Sequence, residues 1–228
     1  MIKKSKVTRI IAVILTAALA CATAGAGGAF AASESECAEA MERIGEYNLM
    51  VGRGDGMAFE ENITRAELAV ILCKLAKAEP AEYNGEFADV SAEHWGAGYI
   101  KAAADMGVMS ADESGNFSPD ANVTYAQLAR AMVSLISFDD FAMARGGYPG
   151  GYMTAATSVM KIYKSSSLNP YSEATRGDVA AVLSRFLDTE LMIIRESDNM
   201  VEMEKSEFTV KDFLDSTVDT LVFFEYDY

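Results

Sequence analysis

Three stretches of the chain show the same order of polar and apolar positions. Each begins with Thr, carries Glu, Gln or Asp three residues later, and continues as an apolar run; they are residues 64–72, 124–132 and 175–183. Thr followed at the third position by Glu or Gln is a capping box, in which each side chain bonds the backbone amide of the other residue. The pattern predicts three helices that begin directly after these threonines, with Asp178 as a shorter version of the same device.

A loop precedes each capped stretch, and apolar residues at helical spacing precede two of these loops, at residues 37–47 and 95–106. This arrangement predicts a unit of helix, loop and capped helix that occurs three times. A two-helix unit cannot bury its apolar face alone, whereas three units packed together share one core. The core positions that align between the units are Leu68, Leu128 and Val179; Leu72, Met132 and Leu183; and Leu75, Leu135 and Phe186.

Residues 188–228 show a different pattern, in which β-prone segments alternate with polar turns. The elements that this pattern predicts are strands at 191–195 and 200–204 joined by a turn at 197–199, a short helix at 206–214 and a strand at 220–224. We therefore expect a small β-rich appendage at the C-terminal end, with an aromatic edge strand that pairs with a partner.

The residue after each capping Thr differs between the stretches: it is Arg65, Tyr125 or Arg176. A helix presents free amides and the positive end of its dipole there, so a cation is unfavourable unless it serves another purpose. One interpretation is an anion site formed by the guanidinium with the helix amides. The other is a surface arginine paired with a neighbouring carboxylate. Tyr125 predicts a weaker or different site.

Further motifs surround the capped stretches. Ile63-Thr64-Arg65-Ala66-Glu67 opens the first, and Phe87-Ala88-Asp89-Val90, His94-Trp95 and Gly115-Asn116-Phe117-Ser118-Pro119 precede the second. This combination resembles S-layer homology (SLH) domains, over about residues 37–187. The resemblance implies a mainly α fold, in which three helix-loop-helix repeats form a pseudo-threefold bundle with grooves between them.

The resemblance also suggests domain boundaries: 1–31 for a signal peptide, 37–78, 85–138 and 146–187 for the three repeats, and 188–228 for the C-terminal extension. The third repeat is degenerate, because Tyr148 stands where the second repeat has Trp95 and its loop has lost the glycines. Its arginine, Arg176, is intact.

SLH repeats bind an anionic, pyruvylated secondary cell-wall polysaccharide, so the resemblance implies a non-enzymatic anchor at the cell surface or S-layer. The residues expected to bind the polymer are Arg65, Thr64, Glu67, Trp95, Asp89, Gly52, Arg176 and Tyr125. Structural roles compete for three of them: Trp95 as a core residue, Asp89 as a helix cap, and Gly52 as a chain turn. We expect one strong site at Arg65, a weaker one at Arg176 and an altered one at Tyr125.

The N-terminal segment has the pattern of a signal peptide, with four basic residues, an apolar run at 10–20, and Ala29-Phe30-Ala31 as the cleavage site. A lipid anchor at Cys21 is the competing interpretation. Cleavage after Ala31 removes four of the 19 basic and none of the 34 acidic residues, which leaves a net charge of −19. Such a chain repels nucleic acid and anionic lipid, so an anionic polymer needs local cationic pockets.

The remaining candidate chemistry is sparse. We predict no catalytic nucleophile–base pair, no cofactor and no metal site; Asp112-x-Ser114-x-Asn116 begins like a calcium loop but lacks the later glycine and glutamate. Cys73 is expected in the core, with a disulfide to Cys37 as the alternative. The alternative function is a structural or protein-interaction adaptor at the cell surface, in which the tail recruits other surface proteins.

Overall fold

The computed structural model describes residues 32–53, 56–197, 200–217 and 224–225, so the predicted signal peptide lies outside the described residues. The fold is mainly α, with one small sheet. In chain order the helices are α1 (Glu34–Gly45), α2 (Arg65–Leu75), α3 (Ala97–Asp105), α4 (Tyr125–Leu135), α5 (Asp139–Met143), α6 (Gly150–Thr154, continued by a π-helical turn at Ala155–Val159), α7 (Arg176–Phe186) and α8 (Val210–Asp215). The strands are β1 (Glu190–Ser197), β2 (Met200–Thr209) and β3 (Phe224–Glu225).

The three predicted capping boxes are confirmed. Helices α2, α4 and α7 each begin directly after Thr64, Thr124 or Thr175, whose side chain accepts a hydrogen bond from the amide of the third helical residue. That third residue is Glu67, Gln127 or Asp178, and its side chain bonds back to the capping residue. The shorter Asp178 therefore closes the same box as Glu and Gln.

A ring of backbone hydrogen bonds brings the three capped starts together. The Ile63 amide donates to the Ala174 carbonyl at 3.3 Å, the Ala174 amide to the Val123 carbonyl at 2.8 Å, and the Val123 amide to the Ile63 carbonyl at 3.0 Å. Each of these residues immediately precedes a capping Thr. The ring therefore fixes the N-termini of α2, α4 and α7 side by side.

The predicted core is confirmed. All nine aligned positions are buried. The largest fully buried side chains also include Phe117 and Tyr163, which come from the loops. Cys37 and Cys73 are both buried and free, which confirms Cys73 as a core residue and excludes the disulfide. Burial raises the pKa of the Cys73 thiol to about 11.

Helix α1 packs against α7, and so joins the first unit to the last. Arg43 donates to the Ser184 carbonyl at 2.8 Å and pairs with Asp188, while Arg185 pairs with Glu36 at 2.5 Å. The helix begins three residues earlier than the sequence predicted, because Ser33 accepts a hydrogen bond from the Glu36 amide and caps it.

The predicted hairpin of the tail is confirmed. Strand β1 pairs antiparallel with β2, with Ser197 opposite Met200, and β3 pairs parallel with β1, which gives the sheet order β2-β1-β3. Helix α8 begins at Val210, later than predicted, because Thr209 and Asp212 form another capping box. Of the strand predicted at 220–224, residues 220–223 lie outside the described residues.

Candidate functional site

A cavity of about 360 Å³ opens beside the start of α2. Its walls are Arg65 of α2, the loop residues 108–118 with Ala121, Gln127 and Arg130 of α4, and Tyr148. We call this cavity the Arg65 groove. Elements from three different parts of the chain form it, and the ring of backbone hydrogen bonds holds two of them, α2 and α4, in register.

Arg65 uses two of its three guanidinium nitrogens to hold the neighbouring loop. Its Nε donates to the Phe117 carbonyl at 2.7 Å and its Nη2 to the Ser110 carbonyl at 2.8 Å. The guanidinium carbon also lies 4.6 Å from the centre of the Phe117 ring, a cation–π contact. Its Nη1 has no hydrogen-bond partner or carboxylate among the residues that the structure describes, so this nitrogen remains available to a ligand.

Arg130 is the second cation of the groove. It lies one helical turn after Gln127 on α4, and its guanidinium makes no hydrogen bond or ion pair with the described residues. Burial lowers the pKa of Arg65, Arg130 acts in the same direction, and Asp89 and Asp112 oppose the shift. Arg65 stays charged despite this shift, since an arginine pKa lies far above neutral pH. Two guanidinium groups without a bound carboxylate therefore line one cavity.

The amides at the start of α2 are not available to an anion, contrary to the sequence-based expectation. The Arg65 amide donates to the Ala121 carbonyl and the Ala66 amide to the Pro119 carbonyl, each at 2.9 Å. The next amide, that of Glu67, donates to the Thr64 hydroxyl. Side chains, and not helix amides, must therefore bind any ligand in this groove, and Thr64 itself serves the cap.

Arg176 occupies the equivalent position on α7 but is satisfied internally. Its residue is only 4% exposed, and its Nη2 donates to the Val51 carbonyl at 2.6 Å. Its Nε lies 3.4 Å from the Met57 carbonyl, and its Nη1 lies 3.4 Å from Oε1 of Glu67. Nη1, the nitrogen that has no described partner in Arg65, is thus paired with the Glu67 carboxylate in Arg176. Arg176 and Glu67 bond each other here, and their contact with a ligand stays a prediction.

Arg53 strengthens this internal pairing. Its guanidinium pairs with the carboxylate of Glu67 and, at 2.5 Å, with that of Glu61. Burial opposes ionisation of Glu67, but hydrogen bonds from Thr64 and Arg53 hold its pKa below the ordinary value. Glu67 is therefore a charged partner shared by two arginines.

Tyr125 occupies the third equivalent position and is buried, with 6% of its surface exposed. Its hydroxyl donates to Oδ2 of Asp178 at 2.6 Å, and the Tyr163 hydroxyl donates to its backbone carbonyl at 2.6 Å. Burial, together with the Asp178 carboxylate, raises the pKa of Tyr125 well above its ordinary value. The structure thus gives Tyr125 a hydrogen-bonding role inside the fold, and a ligand contact of this residue stays a prediction.

Asp89 supports the groove from behind. Its carboxylate accepts from the amides of Phe117 and Ser118 at 2.7 and 2.6 Å, so it fixes the loop that carries the groove wall. The role is structural, but it is not the predicted cap of the following helix. His94 instead accepts from the Gly96 amide at 3.1 Å, just before α3 begins.

Trp95 lies outside the Arg65 groove and is 63% exposed, so the prediction of a core residue is wrong. Tyr148, which aligns with Trp95 in the repeats, is 48% exposed and lines the groove in its place. Gly52 permits a close approach of two chain segments, since a Cβ there would lie 2.7 Å from the Gly56 carbonyl oxygen. That favours the chain turn over a ligand contact.

The sequence-based site set missed Gln127, Arg130 and Tyr148. Gln127 was visible as a capping residue, and Arg130 follows it at the i+3 spacing that places two side chains on one helix face. Tyr148 was visible only as the counterpart of Trp95. No sequence signal showed that these three residues meet Arg65, because the meeting depends on how the repeats pack.

Comparison with known proteins identifies the central part of this architecture. The family model described as "S-layer homology domain" matches residues 86–129, which contain α3, the loop of the Arg65 groove and the start of α4. The chain contains an S-layer homology domain. This domain supplies the loop and α4 walls of the groove, while Arg65 and Tyr148 flank it.

Curated relatives agree with the S-layer homology assignment. The middle cell wall protein of Brevibacillus brevis is 26% identical over 164 residues, 70% of this chain and 15% of that protein. A cell surface protein of Thermoanaerobacter kivui is 26% identical over 202 residues, 81% of this chain and 25% of its own. The cellulosome-anchoring protein of Acetivibrio thermocellus is 27% identical over 146 residues, 57% of this chain and 33% of its own.

The chain thus spans a third or less of the length of these relatives. The S-layer homology domain and these relatives together assign it to the cell surface and support a role in anchoring there. Across the described part of the chain, none of the helices has the length and apolar character needed to span a bilayer.

Proposed function

We propose that this protein is a non-enzymatic cell-surface anchor, and that its Arg65 groove binds an anionic secondary cell-wall polysaccharide. The observation that supports this most directly is the pair of guanidinium groups, Arg65 and Arg130, in one cavity without a bound carboxylate. The chain that remains after signal-peptide cleavage is strongly acidic, so an anionic polymer needs a local cluster of positive charge, and this cavity contains one.

A carboxylate-bearing sugar, such as a pyruvylated one, fits the chemistry of this groove. A guanidinium binds a carboxylate through short, charge-assisted hydrogen bonds. Nη1 of Arg65 and the Arg130 guanidinium supply such donors, while the half-exposed ring of Tyr148 offers a flat face for a pyranose. The 360 Å³ volume of the groove suits one or two sugar units.

We also propose that the three helix-loop-helix units, 37–78, 85–138 and 146–187, are SLH repeats arranged with pseudo-threefold symmetry. The closed ring of hydrogen bonds that precedes the three caps supports this arrangement. So does the equivalent use of Arg65 and Arg176, which each hold two carbonyls of the neighbouring loop with Nε and Nη2.

Co-sedimentation with purified cell-wall sacculi tests the polysaccharide assignment. We expect the chain that starts at Ala32 to bind intact sacculi, and to lose binding after the secondary polymer is stripped chemically from the peptidoglycan. Arg65→Ala should weaken binding by about 1.5–3 kcal/mol, roughly ten- to hundredfold, because a charge-assisted bond is lost. Arg130→Ala should weaken it too, with little effect on folding, since Arg130 bonds no described residue.

Arg145→Ala is the matched control. Arg145 is an exposed arginine that lies over the Phe141 ring, outside the groove. Equal binding of wild type, Arg65→Ala and Arg130→Ala would refute the assignment of the groove. Binding that survives stripping would show that peptidoglycan itself is the ligand.

A second candidate function is a surface adaptor that binds protein partners. One observation favours it: Arg176 and Tyr125, two of the three equivalent positions, are satisfied internally and present no site. Truncation after residue 217 removes the end of the tail but keeps Phe213, which packs in the core. A truncated protein that loses a surface-protein partner but keeps wall binding would assign the adaptor role to the tail.

A further inference from the structure

The first residue of a capped helix bonds the third residue of another capped helix in two of three cases, and in the remaining case the two residues line one cavity. Arg176 of α7 meets Glu67 of α2, with Nη1 and Oε1 3.4 Å apart. Tyr125 of α4 meets Asp178 of α7, with a hydrogen bond of 2.6 Å. Arg65 of α2 lines the same cavity as Gln127 of α4. The three pairs thus follow one another around the three helices, and only the pair that shares a cavity has an uncharged residue, Gln127, at the third helical position.

The carboxylates of Glu67 and Asp178 each cap their own helix and also accept a hydrogen bond from a neighbouring helix. Oε2 of Glu67 accepts from the Thr64 amide at 2.9 Å and so caps its own helix, while Oε1 accepts from Arg176 and Arg53. Asp178 accepts from Thr175 as a cap and also from the Tyr125 hydroxyl. At these two positions the chain supplies its own acceptor to the donor on the neighbouring helix.

Gln127 caps its own helix but cannot also accept a hydrogen bond from Arg65. Its Oε1 accepts from the Thr124 amide at 2.9 Å, which identifies the other terminal atom, Nε2, as an amide donor. A donor cannot accept a hydrogen bond from Arg65, and the neutral amide does not balance its charge. The side chains that the two helices contribute to the groove, Arg65, Gln127 and Arg130, are thus donors, while the loop contributes one carboxylate, Asp112.

Two carboxylates near this cluster, Asp89 behind the groove and Asp112 in its wall, accept hydrogen bonds from backbone amides. Asp89 accepts from the amides of Phe117 and Ser118, and Asp112 accepts from the amides of Ser114 and Asn116. Neither forms an ion pair with Arg65 within the described part of the chain. Their charges attract Arg65 at longer range, but they leave its Nη1 unoccupied.

We propose that Gln127 determines which groove of this protein accepts an anionic ligand: as the one neutral residue at the third helical position, it leaves Arg65 for an external carboxylate. The ligand's carboxylate then takes the place that Glu67 takes beside Arg176. This inference rests on the proposed function for the identity of the natural ligand, but the selection by Gln127 can be tested with a simple probe.

The decisive variant is Gln127→Glu. It keeps the capping box, because Glu67 closes the same box at the start of α2, and it adds an internal acceptor for Arg65. Asn169→Asp is the matched charge control: Asn169 is exposed, accepts from the Tyr171 amide through a side-chain oxygen that Asp retains, and does not line the groove. Both variants add one negative charge to the same protein.

Sodium glucuronate, an anionic sugar, serves as the probe, and arginine Nε–H signals in two-dimensional NMR report where it binds. In the wild type and in Asn169→Asp we expect the Arg65 signal to shift on titration, while the Arg176 signal stays fixed. In Gln127→Glu the dissociation constant should rise about tenfold or more, since the new carboxylate competes for Nη1. An unchanged titration of Arg65 in Gln127→Glu, or no response of Arg65 in the wild type, would overturn the proposal.

Glu67→Gln provides a second test that does not depend on the folding of the first variant. It retains the cap, as Gln127 does on α4, and removes the carboxylate shared by Arg53 and Arg176. Arg53 keeps its pair with Glu61, so the signal expected to respond to glucuronate is that of Arg176, which is fixed in the wild type. An Arg176 signal that stays fixed in Glu67→Gln would contradict the proposal.

Sacculus binding separates this inference from the proposed function. If Arg65→Ala abolishes wall binding and Gln127→Glu leaves it intact, the anchor assignment stands and the selection by Gln127 is wrong. If sacculi do not bind at all but Gln127→Glu still blocks the glucuronate response of Arg65, the selection stands and the wall polymer is the wrong ligand.

Discussion

The hydrogen bond between Tyr125 and Asp178 gives the sharpest stability prediction for this fold. Both residues are buried, and the phenol donates to the carboxylate at 2.6 Å across two helices. Tyr125→Phe deletes the hydroxyl alone and keeps the ring, which contacts Tyr163 edge-on with 6.0 Å between the ring centres. The change therefore removes the hydrogen bond from the hydroxyl to Asp178 and leaves the packing of the ring in place.

The expected magnitude follows from what the carboxylate retains. After the substitution, Asp178 still accepts from the amide and hydroxyl of Thr175, at 3.3 and 2.8 Å. The loss is then one hydrogen bond to a charged group, about 1.5–3 kcal/mol of the free energy of unfolding. In a domain of this size that corresponds to a fall in Tm of about 3–12 °C.

Thermal unfolding followed by circular dichroism at neutral pH measures this effect. Tyr171→Phe is the matched control, because Tyr171 is 67% exposed and its loss should leave Tm unchanged. In a double-mutant cycle with Asp178→Asn, the coupling energy between the two residues should account for most of the stability lost in Tyr125→Phe. A Tm for Tyr125→Phe within about 1 °C of the wild type would refute the view that this buried pair holds α4 to α7.

Two further predictions concern packing and alkaline pH. Gly151→Ala should lower the free energy of unfolding by about 1–3 kcal/mol or more, because a Cβ there would lie 1.9 Å from the Ala142 carbonyl oxygen. Gly150→Ala is the control, since a Cβ there meets no atom within 4 Å. Equal stability of the two variants in urea unfolding would contradict the close approach at Gly151. Burial raises the folded-state pKa of Cys73 to about 11 and that of Tyr163 well above its ordinary value. Stability should therefore be complete below the unfolded-state values of about 8.5 and 10 and should fall as pH rises beyond them, and a flat urea midpoint between about pH 8 and 11 would argue against these raised values.

Local chemistry made much of this fold predictable. The capping boxes, the helical faces that form the core and the hairpin of the tail each depend on residues close together in sequence, so their patterns are visible without tertiary structure. Differences at the ends of elements also have local causes. Ser33 and Thr209 cap helices at positions that the apolar pattern alone did not mark.

The candidate site was predictable only in part. Arg65 stood out from its position after a capping Thr, and Arg176 stood out for the same reason, yet one faces an open cavity and the other is buried against Glu67. The difference lies in residues on another helix, more than 50 positions away in the sequence. Likewise, Trp95 carries the motif, but Tyr148 lines the groove.

The sequence by itself determined where the helices begin, which faces they bury and which side chains can donate or accept, because these follow from neighbours along the chain. Tertiary structure decided which donors find an internal acceptor. The first residue of each capped helix faces the third residue of a different one, and only the packing of the helices brings Glu67 to Arg176, Asp178 to Tyr125 and Gln127 to Arg65. An ion pair engages Arg176 and a hydrogen bond engages Tyr125, whereas Nη1 of Arg65 has no acceptor among the described residues.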